Sequence, residues 1–236
     1  MIDLEDVSRV YRRGADEVRA LDHVSLHIER GRFVALMGPS GSGKSTLLHL
    51  LAGLDRPTSG RVTVAGRSLN DLSEDELARF RSQHVGFIFQ FFNLIPVLSA
   101  RENVELPLLL TSLGKSLRRE RAATALRVVG LGERALHMPG EMSGGEQQRV
   151  AVARAIVSDP EIVVADEPTG DLDAKNAVEI LSLLRDLRRE FGKTVVMVTH
   201  DARGEQFVDE IHHLDKGVLD RTVAGGAALR AAGDAT

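Results

Sequence analysis

The run "GPSGSGKST" (38 to 46), entered from the continuous apolar stretch "FVALMG" (33 to 38) and continued by "KSTLLHLLAGL" with helical spacing, restricts this chain more than any other feature. Glycines at Gly38, Gly41 and Gly43 let the backbone curl until successive N–H groups and the start of the next helix point at one spot. That spot attracts an anion. The pattern G-x-x-x-x-G-K-[ST], placed between a strand and a helix, is that of a loop cradling the phosphates of a nucleotide. Gly38, Pro39, Ser40, Gly41, Ser42, Gly43, Lys44, Ser45 and Thr46 are therefore the expected nucleotide-binding residues. Lys44 would neutralise β- and γ-oxygens, and the Ser45 hydroxyl is placed to ligate Mg2+. Such a unit belongs at the carboxyl edge of a mainly parallel sheet in an α/β domain.

The runs "VGFIFQ" (85 to 90), "EIVVADEP" (161 to 168) and "TVVMVTH" (194 to 200) read as short apolar strands, each ending in polar residues. Strands of that kind lie inside a sheet covered on both faces, so a P-loop NTPase core is expected. Their ends would share an edge with the glycine loop. Asp166 and Glu167 are adjacent at one strand end, and adjacent strand residues point opposite ways. One carboxylate can hold the metal while the other faces the γ-phosphate and orients or deprotonates a water. Asp166 is assigned to the metal and Glu167 to the water. His200 would donate a hydrogen bond to the γ-phosphate, and the Gln90 amide would touch Mg2+ or the attacking water. Taken singly, His200 and Gln90 read as structural polar residues; their common edge gives them weight. The expected metal set is Ser45, Gln90 and Asp166, and the expected catalytic set Glu167, His200 and Gln90.

Elsewhere, "IDLEDV" (2 to 7) and "LDHVSLHI" (21 to 28) alternate as half-buried strands around the turn-like "RRGADE", and "GRVTVAG" (60 to 66) returns to period two. A small antiparallel β subdomain is expected there. Residues 93 to 158 show helical patterns and no strand; their core, about 98 to 140, is read as an inserted α-helical subdomain. The chain, 1 to 236, is thus one domain, with a flexible tail at 224 to 236. No apolar run reaches about 18 residues and none follows a basic N-terminus, so neither a membrane span nor a signal peptide is expected. Zero cysteines exclude disulfides and thiolate metal sites. A formal charge of −4 and 4% aromatic residues give no case for a nucleic-acid partner.

One stretch remains. In "MSGGEQQR" (142 to 149), Ser143, Gly144 and Gly145 precede a helix-favouring run and make a second anion-binding helix start. Read alone, it is a helix with Ser143 as N-cap and Glu146 closing a capping box. The order of the phosphate loop, Gln90, "MSGGEQQR", "VVADEP", "GDLD" and "VTH" resembles the ATP-binding subunit of ABC transporters over about residues 2 to 222.

That resemblance implies an ATP- and Mg2+-dependent ATPase whose subunits pair head to tail as a homodimer. Ser143, Gly144 and Gly145 would contact the γ-phosphate of the opposite subunit's ATP, and Asp173 of "GDLD" would lie in the dimer-contact loop. Tyr11 falls where the family stacks an aromatic on adenine. Glu146 stands where the family usually has glutamine, and its carboxylate repels a triphosphate unless it points away or pairs with a cation such as Arg149. The stretches "FIFQFFNLIPVLSARENVELPLLL" (87 to 110) and "ADEPTGDLD" (165 to 173) resemble the subgroup of lipoprotein-releasing and macrolide-exporting systems and the cell-division ATPase. An integral membrane permease partner is implied, docked in a groove formed by "FFNLIPVL", with the chain peripheral on the cytoplasmic face of the membrane. The resemblance leaves a second reading, an ATP-dependent regulatory module of an envelope or division complex that moves no solute.

Overall fold

The computed structural model describes residues 1–14 and 16–228, apart from the side chain of Arg13. Its centre is the strand β3 (Phe33–Met37), whose five residues are all buried. In chain order it is preceded by β1 (Ile2–Arg13) and β2 (Asp16–Ile28). It is followed by α1 (Lys44–Leu51), β4 (Ser59–Val64), β5 (Arg67–Ser68), α2 (Glu74–His84), β6 (Val85–Ile88), α3 (Ala100–Glu105), α4 (Lys115–Val128) and α5 (Gly144–Ile156). The chain then runs through β7 (Ile162–Asp166), α6 (Ala174–Phe191), β8 (Thr194–Val198), β9 (Glu210–Asp215) and β10 (Val218–Ala224).

Two sheets form, a four-stranded one ordered β2-β1-β4-β5 and a six-stranded one ordered β10-β9-β3-β8-β7-β6. The pairs β3–β8, β3–β9, β7–β8 and β6–β7 are parallel, and only β10 runs antiparallel at the edge. Alternation along each central strand divides the apolar residues between the two faces. Phe33, Ala35, Val163, Val195 and Met197 join one core with residues of α3 to α6. Val34, Leu36, Val164, Val196 and Val198 join a second with α1, α2 and the antiparallel sheet. Each central strand is buried on both sides, which is why these runs read as continuously apolar.

The segment between β6 and β7 carries only helices, and its Leu108, Ala122 and Leu126 are continuous with the first core. The opening hairpin is longer than the alternating runs suggest. Pairing continues through Arg12↔Glu17 and Arg13↔Asp16, so most of the expected turn is strand. Cross-strand pairing survives the loss of alternation there because the strand ends are exposed and need no apolar face. At the other end, the amides of Gly225 and Ala227 still donate to the carbonyls of Asp209 and Val208, beyond where the tail was expected to begin; the rest of that tail, 229 to 236, lies outside the described residues.

α6 buries Ala177, Ile180, Leu181, Leu184 and Leu187 on one stripe. It starts at Asp173, whose side chain accepts from the Asn176 amide, and stops at Gly192, which is left-handed with φ 63°.

Candidate active site

The loop after β3 leads into α1 without a side-chain cap, so the first amides of that helix remain available to an anion. Gly43 has φ 100°, and a Cβ there would lie 2.4 Å from the Ala20 carbonyl oxygen of β2. The loop is thereby pressed against the antiparallel sheet. Lys44 is buried, and its ammonium donates to the carbonyls of Gly38 at 2.9 Å and Pro39 at 2.8 Å. A cation is thus held at the centre of the ring of amides.

This loop forms one wall of a cleft of about 660 Å³, lined also by Val18, Arg19 and Ala20 and, from the sheet edge, by Gln90, Glu167 and His200. That volume is in the range of sites that bury a nucleotide-sized ligand. Pro39, Ser40, Gly41, Ser45 and Thr46 line it too, whereas Ser42 is buried and acts through its backbone, bonded to Pro39 and Gly217.

At the end of β7, Ser45 Oγ donates to Asp166 Oδ1 at 3.3 Å. An octahedral Mg2+ with oxygens at about 2.1 Å places adjacent ligands about 3 Å apart, so this pair fits such an ion, and Gln90 lines the same cleft.

Glu167 reaches the cleft by a route that strand alternation does not supply. β7 ends at Asp166, and Glu167 has φ 47°, the left-handed region. Its amide donates to the Val198 carbonyl at 3.0 Å, and its carbonyl accepts from Gly170 at 3.0 Å. A non-glycine residue in this conformation costs about 1–2 kcal/mol and is held by its surroundings. Its Oε1 is 2.9 Å from His200 Nδ1. A carboxylate only accepts, so Nδ1 carries the hydrogen. Gly170 closes the far side: a Cβ there would stand 2.8 Å from Gln90 Nε2.

Other expected residues lie outside this cleft. Tyr11 is at its rim, paired across the hairpin with Val18, while its hydroxyl donates to Asp55 at 2.7 Å and its ring lies 4.4 Å from the Arg9 guanidinium. Ser143, Gly144 and Gly145 open α5 outside the cleft, Ser143 exposed and Gly145 buried, packed so closely on Asn176 that a Cβ would meet Asn176 Oδ1 at 2.0 Å. Asp173 caps α6 beside them.

The capping box at Ser143 is formed. Glu146 Oε2 accepts from the Ser143 amide at 2.9 Å and hydroxyl at 3.0 Å, and these bonds hold the carboxyl below its usual range. Its cation is Arg134, with Nε at 3.5 Å, and not Arg149, which pairs with Glu179 of α6 at 2.7 Å. Sequence spacing puts Arg149 on the same helix, but α6 packs beside it and offers a closer carboxylate. Nothing in the spacing of Arg134 marks it as a partner.

Known proteins resemble this chain over most of its length. The family described as ABC transporter matches residues 21–170. The chain is 53% identical over 203 residues to the macrolide export ATP-binding/permease protein MacB of Hyphomonas neptunium, covering 86% of this chain but 31% of that protein. It is 48% identical over 225 residues to the ABC transporter ATP-binding protein MJ0796 of Methanocaldococcus jannaschii, covering 94% of this chain and 96% of that one. The dimeric, post-hydrolysis structure of the MJ0796 cassette with ADP and Pi superposes with a TM-score of 0.87 at 45% identity, over 95% of this chain and 98% of that chain. The chain therefore spans about a third of MacB and nearly all of MJ0796.

Proposed function

The chain belongs to the ABC transporter family of ATP-hydrolysing cassettes, and from that premise we propose that it is the Mg2+-dependent ATPase subunit of an export or extrusion complex, working as a homodimer on a membrane permease. The convergence of Gln90, Glu167 and His200 on the Lys44 loop carries the reading.

The amides of Ser40, Gly41 and residues 43–45 and the Lys44 ammonium bind the β- and γ-phosphates, the ammonium exchanging loop carbonyls for phosphate oxygens. Ser45 and Asp166, with Gln90, would hold Mg2+, which when bound neutralises charge on the same oxygens. Glu167 orients the attacking water and takes its proton. Before the water attacks, His200 turns from Glu167 to the γ-phosphate, a movement open to it because its side chain is 74% exposed while that of Glu167 is 19% exposed. Tyr11, at the rim, stacks on the adenine once its hydroxyl leaves Asp55.

The start of α5, with Ser143, Gly144 and Gly145, meets the ATP of a second subunit, and Asp173 lies beside it at that interface. MJ0796 is itself a dimer in its solved structures, which supports the pairing. The permease would dock at an apolar cleft of about 520 Å³ lined by Leu54, Phe87, Phe89, Asn93, Pro107 and Leu110; of the expected "FFNLIPVL" run only Asn93 lines it, and its other walls include β6, the residues flanking it and the end of α5. Phe91 and Val97 of the "FFNLIPVL" run are 71% and 79% exposed, while Asn103, fully buried, ties the backbone of Ile95, Leu98 and Ser99 in place. Among the described residues no helix is long and apolar enough to cross a membrane; the permease is the proposed attachment to the cytoplasmic face.

The test is Glu167→Gln, measured for MgATP binding and for phosphate release. Binding should persist while turnover falls by about 10² or more. Turnover equal to wild type would show that another group activates the water. Purified with MgATP from detergent-solubilised membranes, this variant should retain a stoichiometric integral membrane protein; soluble partners alone would remove the transporter reading.

A further inference from the structure

Between β6 and α3, the segment carrying Gln90 is anchored at both ends by side chains of α5. Gln148 is completely buried. Its Nε2 donates to the Phe89 carbonyl at 3.2 Å and to the Pro168 carbonyl at 2.6 Å. Two carbonyl acceptors can be served only by the NH2 end of the amide, so its orientation is determined, and its Oε1 is left buried with no partner. Farther along the helix, Arg154 donates to the carbonyls of Phe92, at 2.7 Å, and Asn93. Phe92 and Asn93 both have positive φ, 57° and 49°, a conformation that non-glycine residues keep only when something holds it.

Gln90 sits between these anchors. Phe89 precedes it and Phe92 follows the exposed Phe91. Pro168 directly follows Glu167. The Gln148 amide therefore spans two backbone carbonyls, one in the peptide bond to Gln90 and the other on the residue that follows Glu167. Neither Gln148 nor Arg154 lines the cleft.

We propose that Gln148 and Arg154 are positioning residues for ATP hydrolysis, a latch by which α5 sets Gln90 against Glu167. The inference rests on the roles assigned above to Gln90 and Glu167. Gln148 sets the spacing of the two carbonyls, and Arg154 keeps the far end of the segment in its left-handed turn. Because α5 begins at Ser143, a shift of this helix on engaging a second subunit would be passed to Gln90 through the same two side chains. An apolar residue at 148 would leave both carbonyls buried without a donor and the spacing free to change. With Gln90 itself removed, no amide remains to be misplaced.

That asymmetry supplies the test, a double-mutant cycle of Gln148→Leu and Gln90→Ala in the full chain, read as steady-state ATP hydrolysis and as MgATP affinity. Gln148→Leu should lower kcat by about tenfold to a hundredfold, the scale of a misplaced catalytic group, and leave nucleotide affinity within about twofold. In the Gln90→Ala background the same change should cost less than about twofold. An equal loss in both backgrounds would overturn the latch and leave the reading of the site standing, as would Gln148→Leu with wild-type kcat. A Gln90→Ala enzyme as fast as wild type would overturn the reading of the site, and the latch with it. Should Gln148→Leu fail to fold, Arg154→Met enters the same cycle: it keeps the length of the side chain but can donate to neither the Phe92 nor the Asn93 carbonyl, and the same coupling to Gln90 is expected.

Discussion

His200 Nδ1 lies 2.9 Å from Glu167 Oε1, so the two residues assigned to the γ-phosphate and to the water are bonded to each other before nucleotide arrives. With Nδ1–H given to Glu167, a neutral ring has no hydrogen on Nε2 to offer a phosphate. Donation requires either that His200 leave Glu167 or that it be doubly protonated.

His200→Ala should therefore reduce turnover by about 10 to 100-fold with little change in MgATP affinity, as expected of one charge-assisted hydrogen bond made in the transition state. His200→Gln, which retains a donor, should recover part of the loss. Steady-state kinetics on both variants checks this; equal activity of the two would remove the donor role.

Glu146→Gln should strengthen MgATP-driven dimerisation. Glutamine still closes the capping box, so thermal stability should hold to within about 0.5 kcal/mol, while a carboxylate leaves the surface that meets a triphosphate. Arg134→Ala, which strips Glu146 of its cation at 3.5 Å, should act in the opposite sense. Sedimentation of both changes in the Glu167→Gln background measures the effect, and Ser143→Arg in that background should abolish the dimer.

Two loop glycines should respond differently to alanine. Gly43 has φ 100° and Ala20 backbone in its way, whereas Gly41, at φ 77°, has nothing within 4 Å of its Cβ position. Gly41→Ala carries only a conformational cost of about 1–2 kcal/mol. Gly43→Ala adds a clash with an atom that a side-chain rotation cannot relieve, and should lose both stability and nucleotide binding. Thermal unfolding with and without MgATP distinguishes them.

His212 governs part of the acid stability. Burial first, and the neighbouring His213 second, lower its pKa from 6.5 to about 4. Between those values the unfolded chain binds a proton that the folded chain refuses, so the contribution is whole above pH 6.5 and is lost as pH falls towards 4, with an upper limit of roughly 3 kcal/mol. Denaturant unfolding of His212→Asn at pH 7 and pH 4.5 should show a smaller loss on acidification than wild type; an identical loss would assign the slope to the carboxylates.

Much of the site was legible because its determinants are local. A loop that must curl needs glycines, an anion needs amides and a lysine, and a strand covered on both faces must be apolar throughout; each requirement is met within a few consecutive residues. The runs ending at Gln90, Asp166 and His200 follow the same logic, and so does the capping box of Ser143 and Glu146.

Contacts between distant residues were not legible. Tyr11 bonds to Asp55, Arg134 answers Glu146, and Gln148 reaches Phe89, 59 positions away, because helices and sheets pack in one particular way and bring those groups within hydrogen-bond reach. By itself, then, the sequence determined that this chain holds phosphates on a parallel sheet, since sterics and hydrogen bonding along neighbouring residues suffice for that. The tertiary structure alone decided how Glu167 turns into the cleft and which side chains hold Gln90 beside it, because those positions depend on the Val198 carbonyl and on α5, neither of them a neighbour in sequence.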